Sequence, residues 1–267
     1  MYEVVVQREG GGALPKGHTT YTLALDSYGK FVRHILLGYT LSGIEARDYV
    51  STCPNLQDIA LWTQRLSPAL VHQLGQLENL QRLSTNIERL FRASTAEVFG
   101  GHDFDSIFNG PTHAFDETGL RVGSPFFHLT FGHPLFRNVT HLELTNICEG
   151  AWSPRWCGLA QLPRLTHLAF DFEFNDVVIE GCLDECQSLR VLVLLNGVLD
   201  PFGNKLREMS ARIAGDPRVV PHVVKSFSND WEEGARGKAD FWKCAEEIVE
   251  ERLRPRPVLL QHATGTN

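Results

Sequence analysis

A nine-residue pattern that returns along the chain limits the possible folds more than any other feature. A bulky apolar residue, two variable ones and then Leu-x-x-Leu-x-Leu, or a close variant, run from Cys53 through Leu56 and Ile59 to Leu61 and from Leu77 through Leu80 and Leu83 to Thr85. The pattern returns from Phe136 through Val139 and Leu142 to Leu144, from Leu162 through Leu165 and Leu168 to Phe170, and from Cys186 through Leu189 and Leu192 to Leu194. Val32, Ile35 and Leu37 form a fainter copy. The first Leu-type positions are 32, 56, 80, 139, 165 and 189, so the steps are 24, 24, 59, 26 and 24 residues. A chain with such a period is built of similar units that bury their apolar sides against one another.

A period of about 20 to 29 residues on this motif is the leucine-rich-repeat signature. The second and third Leu positions are two apart, so on a strand they share one side while the residue between them faces the other. Each strand then needs a crossover back to the start of the next. Ser67 to Leu74 reads as a helix, with Ser67 as N-cap, Pro68 at the first helical position and Leu70 and Leu74 one turn apart. Ile44 to Val50 and Asp176 to Leu183 read the same way. The predicted fold is α/β: a leucine-rich-repeat-like solenoid with a short parallel concave sheet, convex helices and a C-terminal capping helix. Asn86, Asn146 and Asn196 follow their strands at differing offsets, so irregular turns are expected there rather than an asparagine ladder.

The domain plan follows the repeats. Residues 1–30 form an N-terminal segment with a strand-like alternation at Tyr21 to Leu25, and 31–226 the solenoid. The solenoid is interrupted at about 93–132, where 59 residues separate Leu80 from Val139 and the stretch from Gly100 to Thr130 has neither period. Asp216 to Val220 reads as a final edge strand. Residues 227–255 carry an amphipathic helix from about Ala239 to Leu253, with Phe241, Ala245, Ile248 and Val249 on one face. This helix is expected to cover the end of the last repeat, aided by Trp231 and Trp242, and 256–267 to be a flexible tail.

Composition narrows the function classes. With 43% hydrophobic and 21% charged residues the chain is that of an ordinary globular protein. No run approaches about 18 apolar residues, and Met1 to Gly12 lacks the basic start and apolar stretch of a signal peptide. A membrane partner is not expected, and the cytoplasm or nucleus is the expected location. A net charge of -7 argues against a surface for phosphate backbones, so nucleic acid is not expected either. Cys53 and Cys186 occupy a repeat position filled elsewhere by Leu77, Phe136 and Leu162, which suits buried free thiols. Cys182 and Cys186 lack the spacing and companions of a zinc set.

Neither G-x-S-x-G, H-E-x-x-H, G-x-G-x-x-G nor a P-loop occurs, so an enzyme is not expected and no cofactor is implied. His102, Asp103 and Asp105 fit no calcium-loop spacing and read as polar loop residues. His141 and His167 fill the same place in successive repeats and would stand side by side on neighbouring strands. Thr-His suits a solvent-facing strand position, and that reading is preferred to a metal or catalytic pair.

The string from Phe136 to Leu144, the second Leu165-Thr166-His167-Leu168, Asp216-Pro217-Arg218, and the closing Asp230-Trp231, Gly234-Ala235 and Asp240-Phe241-Trp242 together resemble a group of uncharacterised leucine-rich-repeat proteins of mushroom-forming (basidiomycete) fungi. The resemblance covers roughly Tyr21 to Arg254. Members of that group often carry an F-box before the repeats, which would imply substrate recognition for a ubiquitin ligase. The residues before the first repeat here do not read as Leu-Pro-led helices, so an F-box is expected to be missing from this chain. The 101–130 stretch is longer than the group's usual approach to its Phe-Arg-Asn-Val string, and is either a genuine insertion or retained intron sequence.

The third place of each repeat gives the row His34, Asp58, Arg82, His141, His167 and Val191, and the fifth gives Leu36, Ala60, Ser84, Glu143, Ala169 and Val193. A mixed, open row of this kind suits a protein or peptide partner. The expected partner-binding residues are Asp58, Trp62, Arg82, His141, Glu143 and His167, with Trp62 as an aromatic at the rim. The function expected from the sequence is a non-enzymatic protein-protein interaction module.

Overall fold

The structure, a computed structural model, describes residues 4–6, 29–38, 43–61, 68–86, 131–145, 156, 158–171, 175–197 and 209–255. Its frame is a single parallel sheet of eight strands standing in chain order. They are β1 (Val4–Val6), β2 (His34–Leu37), β3 (Asp58–Leu61), β4 (Arg82–Asn86), β5 (His141–Thr145), β6 (His167–Asp171), β7 (Val191–Gly197) and β8 (Val219–Val224). The helices are α1 (Gly43–Ser51), α2 (Pro68–Gly75), α3 (Asp176–Glu185), α4 (Ala211–Gly215), α5 (Phe227–Ala235) and α6 (Phe241–Leu253), with short 3-10 turns at Gly29–Phe31, Pro134–Phe136 and Gly158–Gln161. The α/β class expected from the sequence is what the structure has.

Strands β3 to β7 each begin with the same hydrogen-bonded rung. The N–H groups of Gln57 and Asp58 both donate to the Arg33 carbonyl at 2.8 and 3.1 Å, and those of Gln81 and Arg82 to Gln57 at 2.8 and 2.9 Å. Thr140 and His141 donate to Gln81, Thr166 and His167 to Thr140, and Arg190 and Val191 to Thr166. These rungs set the register, which aligns His34, Asp58, Arg82, His141, His167 and Val191 across the sheet. The 59-residue step leaves the sheet intact, because β4 pairs directly with β5.

On one face, the second and third Leu positions form a continuous core. Ile59, Leu61, Leu83, Leu142, Leu144, Leu168, Phe170, Leu192 and Leu194 are all at most 2% exposed. They pack with Ala46 and Val50 of α1, Leu70, Val71 and Leu74 of α2, Val178, Ile179, Cys182 and Leu183 of α3 and Ile213 of α4. Cys53 and Cys186 are buried free thiols in that core, at the repeat position where other copies carry Leu or Phe. Two asparagines ahead of their strands bond to the preceding turn. Asn55 Nδ2 donates to the Lys30 carbonyl and Asn138 Nδ2 to the Glu78 carbonyl, both at 2.8 Å, tying each turn to the one preceding it.

At the ends the structure departs from expectation. The first strand is the β-branched run Val4–Val6, which pairs with β2 and fits a strand by propensity. Tyr21 to Leu25, the inserted stretch from 93 to 130 and the tail from 256 lie outside the described residues. At the C-terminus α6 packs its apolar side on the last repeat as expected, but two helices form rather than one and both lie on the face of the sheet. α5 packs on β1 and β2 while α6 packs on β7 and β8, so the pair crosses the sheet's second face from one edge to the other. That face carries apolar side chains at both ends, and a parallel sheet of this kind is stable with both faces covered.

Among the core positions Leu168 is fully buried on a central strand. Leu168→Ala is expected to cost about 3 kcal/mol through lost contacts and the cavity left behind. Leu168→Asp, which buries an unpaired charge, is expected to abolish cooperative unfolding in urea followed by far-UV circular dichroism. A cooperative transition at the wild-type midpoint in the Asp variant would contradict the two-faced sheet.

Candidate functional site

The face beneath α5 and α6 holds the third- and fifth-place rows, so the residues proposed from sequence as a partner surface lie together. They are not open to solvent. Asp58 is 1% exposed, Glu143 4% and His167 5%, while the Arg82 side chain keeps 24%. Trp62 lies outside the described residues. The sequence leaves this row exposed because it accounts for a helix on the last repeat alone; the path of α5 and α6 across the whole face buries it.

The cover is built by local sequence. Ser226 caps α5 by accepting from the Asn229 N–H, and Asp240 caps α6 by accepting from the Lys243 N–H at 3.0 Å. Between them Gly237 takes a positive φ of 77°, which reverses the chain at little steric cost. Gly234 leaves room for the Asp240 carboxylate, with which a side chain at 234 would collide. Asp230 Oδ2 accepts the Phe241 N–H at 3.1 Å and joins the two helices across the turn. At the far end Arg252 donates to the carbonyl of Val219 at 2.7 Å, fastening α6 to the edge strand.

Three zones follow one another across the face. Beside β1 to β3, Trp231 and Ala235 pack on Leu36 and Ala60. Beside β6 to β8, Phe241, Trp242, Ala245 and Val249 pack on Ala169, Val191, Val193, Leu195, Val220 and Val224. The middle zone is polar. Arg82 Nη2 meets Asp240 Oδ2 at 2.6 Å and Arg82 Nε lies 3.3 Å from Asp58 Oδ2, while Trp231 Nε1 donates to Asp58 Oδ1 at 3.2 Å. His34 Nδ1 is 3.6 Å from Asp58 Oδ2. Burial works against the Arg82 charge, but Asp58 and Asp240 more than offset it and hold the guanidinium above its usual pKa.

Next to this group Glu143 is fully enclosed. Burial above all, with the charges of Asp230 and Asp58, pushes its carboxyl up to about 7 against the Ser84 hydrogen bond and Arg82. Its Oε1 has no hydrogen-bond partner among the described residues. His141 and His167 stack face to face, centroids 4.0 Å apart and planes 6° from parallel, and both meet the Trp242 indole edge-on at 5.2 and 5.9 Å. Burial, then His167 and Arg82, lower His141 to about 2; burial, then Arg190 and Arg82, lower His167 to about 4. Both rings are therefore neutral at physiological pH. Thr140 Oγ1 and Thr166 Oγ1 hold the Nδ1 atoms at 2.9 and 2.8 Å, and His167 Nε2 faces Glu246 Oε1 of α6 at 3.0 Å.

Sequence reasoning found the sheet's share of this site and missed the share of the cover: Asp230, Trp231, Asp240, Trp242 and Glu246. The available signal was the sequence from Asp230 to Glu246 itself, where tryptophans alternate with carboxylates opposite a row holding Arg82 and two histidines. No protein-family model matches the chain, and no curated protein matches it in sequence.

Two outcomes are expected from this geometry. Arg82→Ala leaves Asp58 and Asp240 buried without their cation, and should cost about 3 kcal/mol in urea unfolding; a change near zero would mean that the carboxylates are not held by this residue. The second concerns Asp230, whose carboxyl is pushed up to about 6 by burial and by the charges of Asp240 and Glu233, against the Phe241 N–H and Arg82. Its folded-state pKa is raised, so its contribution is fully present below about pH 4 and is lost as pH rises through about 6. Asp230→Asn, whose amide oxygen can still accept from Phe241, should melt with the wild type near pH 4 and above it beyond about pH 7. Equal gaps at both pH values would contradict the assignment.

Proposed function

We propose that this chain is a leucine-rich-repeat solenoid acting as a non-enzymatic protein-protein interaction module, and that its partner uses the sheet face now held by α5 and α6. The observation that carries the reading is that this face already seats an amphipathic helical segment. Trp231 and Trp242 fill its apolar zones and Asp240 meets Arg82 at the centre. A groove with these features selects helices of one character, aromatic on one side with an acid between the aromatics. The 24- to 26-residue steps and the repeated rungs support the solenoid assignment.

On this reading the partner is a protein or peptide that competes with α5 and α6 for Asp58, Arg82, His141, Glu143 and His167. Substrate recognition within an F-box type ligase would be the same act of binding with the F-box supplied from outside the repeats.

Competition has a measurable consequence, because the apparent affinity of a covered site falls with the fraction of molecules that are uncovered. Trp242→Ala weakens the cover without changing the sheet. In capture from cells of the source organism, the full-length Trp242→Ala chain is expected to retain more of its specific partner than the wild type, by roughly tenfold for each 1.4 kcal/mol of weakened cover. Adding His141→Ala should remove the gain. Capture that is indifferent to both changes but lost with Gln73→Ala or Glu180→Ala would move the site to the helical side of the sheet.

A further inference from the structure

We propose that His141, His167 and Glu246 form a binding site for a divalent transition-metal ion of the zinc class, which clamps α6 to β5 and β6. The three side chains come from three elements far apart in sequence and each offers one donor atom, all within 4.8 Å of one another. In a tetrahedral zinc site with bonds near 2.0 to 2.2 Å, neighbouring donors stand about 3.4 Å apart. His167 Nε2 and Glu246 Oε1 are 3.0 Å apart, and because the two imidazoles stack 6° from parallel, the His141 ring must turn out of the stack for its lone pair to meet the same ion. Two imidazoles and a carboxylate suit zinc among the common divalent ions, whereas magnesium and calcium take oxygen donors.

The hydrogen bonds around the rings point the same way. Thr140 Oγ1 donates to the Gln81 carbonyl at 3.2 Å and Thr166 Oγ1 to the Thr140 carbonyl at 3.3 Å. A threonine hydroxyl has one proton. With that proton on the carbonyl, the contact to each histidine is made by Nδ1–H donating to Oγ1, which leaves the Nε2 lone pairs directed away from the strands. Metal-binding histidines are oriented in this manner, the second ring nitrogen donating to a fixed acceptor. At His167 the lone pair then faces a carboxylate oxygen, an arrangement that calls for a cation between them. The ion has a route in, because the Glu246 side chain is 43% exposed while Trp242 walls the opposite side. The sequence places the histidines together but not the glutamate, which is why the pair alone reads as solvated strand residues.

The test uses full-length protein and zinc ion alone. Isothermal titration of metal-stripped wild type is expected to show one zinc per chain and a raised melting temperature on loading. Glu246→Gln, at a partly exposed position whose loss leaves the core intact, is expected to weaken binding by at least about 100-fold and to abolish the thermal shift. Glu247→Gln, one residue along on the exposed side, should behave as wild type. Thr166→Val keeps all three donors and frees the His167 ring, and is expected to weaken binding by about 10- to 100-fold. Cobalt loading should give visible bands of a tetrahedral site without a thiolate charge-transfer band. Absence of stoichiometric zinc binding, binding unchanged in Glu246→Gln, or a cobalt spectrum showing thiolate ligation would each overturn the proposal; the first would leave a proton shared between His167 and Glu246.

Discussion

Arg82 stands between Asp58 on the neighbouring strand and Asp240 at the start of α6, and the second layer of the structure depends on that position. Two carboxylates at 1% and 4% exposure would each be costly without a counter-charge. One guanidinium serves both, and because Asp240 also caps α6 the same contact fixes where the covering helix begins. The aromatic zones on either side could slide along apolar strands. The charged middle cannot, since a shift of one residue would part Asp240 from Arg82 and leave that carboxylate buried without its cation. Desolvation makes such a group a modest source of stability, so its main effect is on placement.

The sheet beneath is held by a different rule. Each strand from β3 to β7 is started by two N–H groups sharing the carbonyl of the preceding turn, so register is decided locally, one step at a time. A long insertion between two steps therefore costs only its loop entropy, which grows slowly with length. That accounts for β4 and β5 pairing in the common register across 59 residues while the other internal steps are 24 to 26. It also accounts for the shape of the core, in which every repeat contributes the same two inward positions and no single long-range contact organises the whole.

These two rules differ in how far they can be read from sequence. The rungs and the core follow from a periodic pattern, and the rows His34 to Val191 and Leu36 to Val193 come out of the repeat numbering with the pairing the sheet has. Helices at Gly43–Ser51, Pro68–Gly75 and Asp176–Glu185 were legible from caps and one-turn apolar spacing. Val4–Val6 was not, because three residues carry no period. The docking of α5 and α6 was not legible either. Amphipathicity shows that a helix has an apolar side but not which surface receives it, and the end and the face of the last repeat were both candidates. The choice between them rests on pairwise chemistry, Asp240 with Arg82 and Trp231 with Asp58, between residues more than 150 positions apart. For the same reason the polar row was read as solvated: polarity predicts exposure unless a partner is known.

The covered face changes what its polar residues are for. On an open surface Asp58, Arg82, Glu143 and the two histidines would be interchangeable solvated groups, each worth little. Beneath a lid they become a pattern that any occupant must answer, with an anion for Arg82, a donor for Asp58 and an aromatic edge for the stacked imidazoles. α5 and α6 answer all three. On the proposed reading a partner must do as well or better at each point, and it must also match the spacing, since the anion lies between two tryptophans on helices separated by a tight glycine turn. Selectivity on such a face arises from the penalty for leaving any one buried group unanswered, which is larger than the gain from any single added contact. On the proposed reading the C-terminal segment is both a structural layer and a template, its own sequence giving the character of a partner that could take its place.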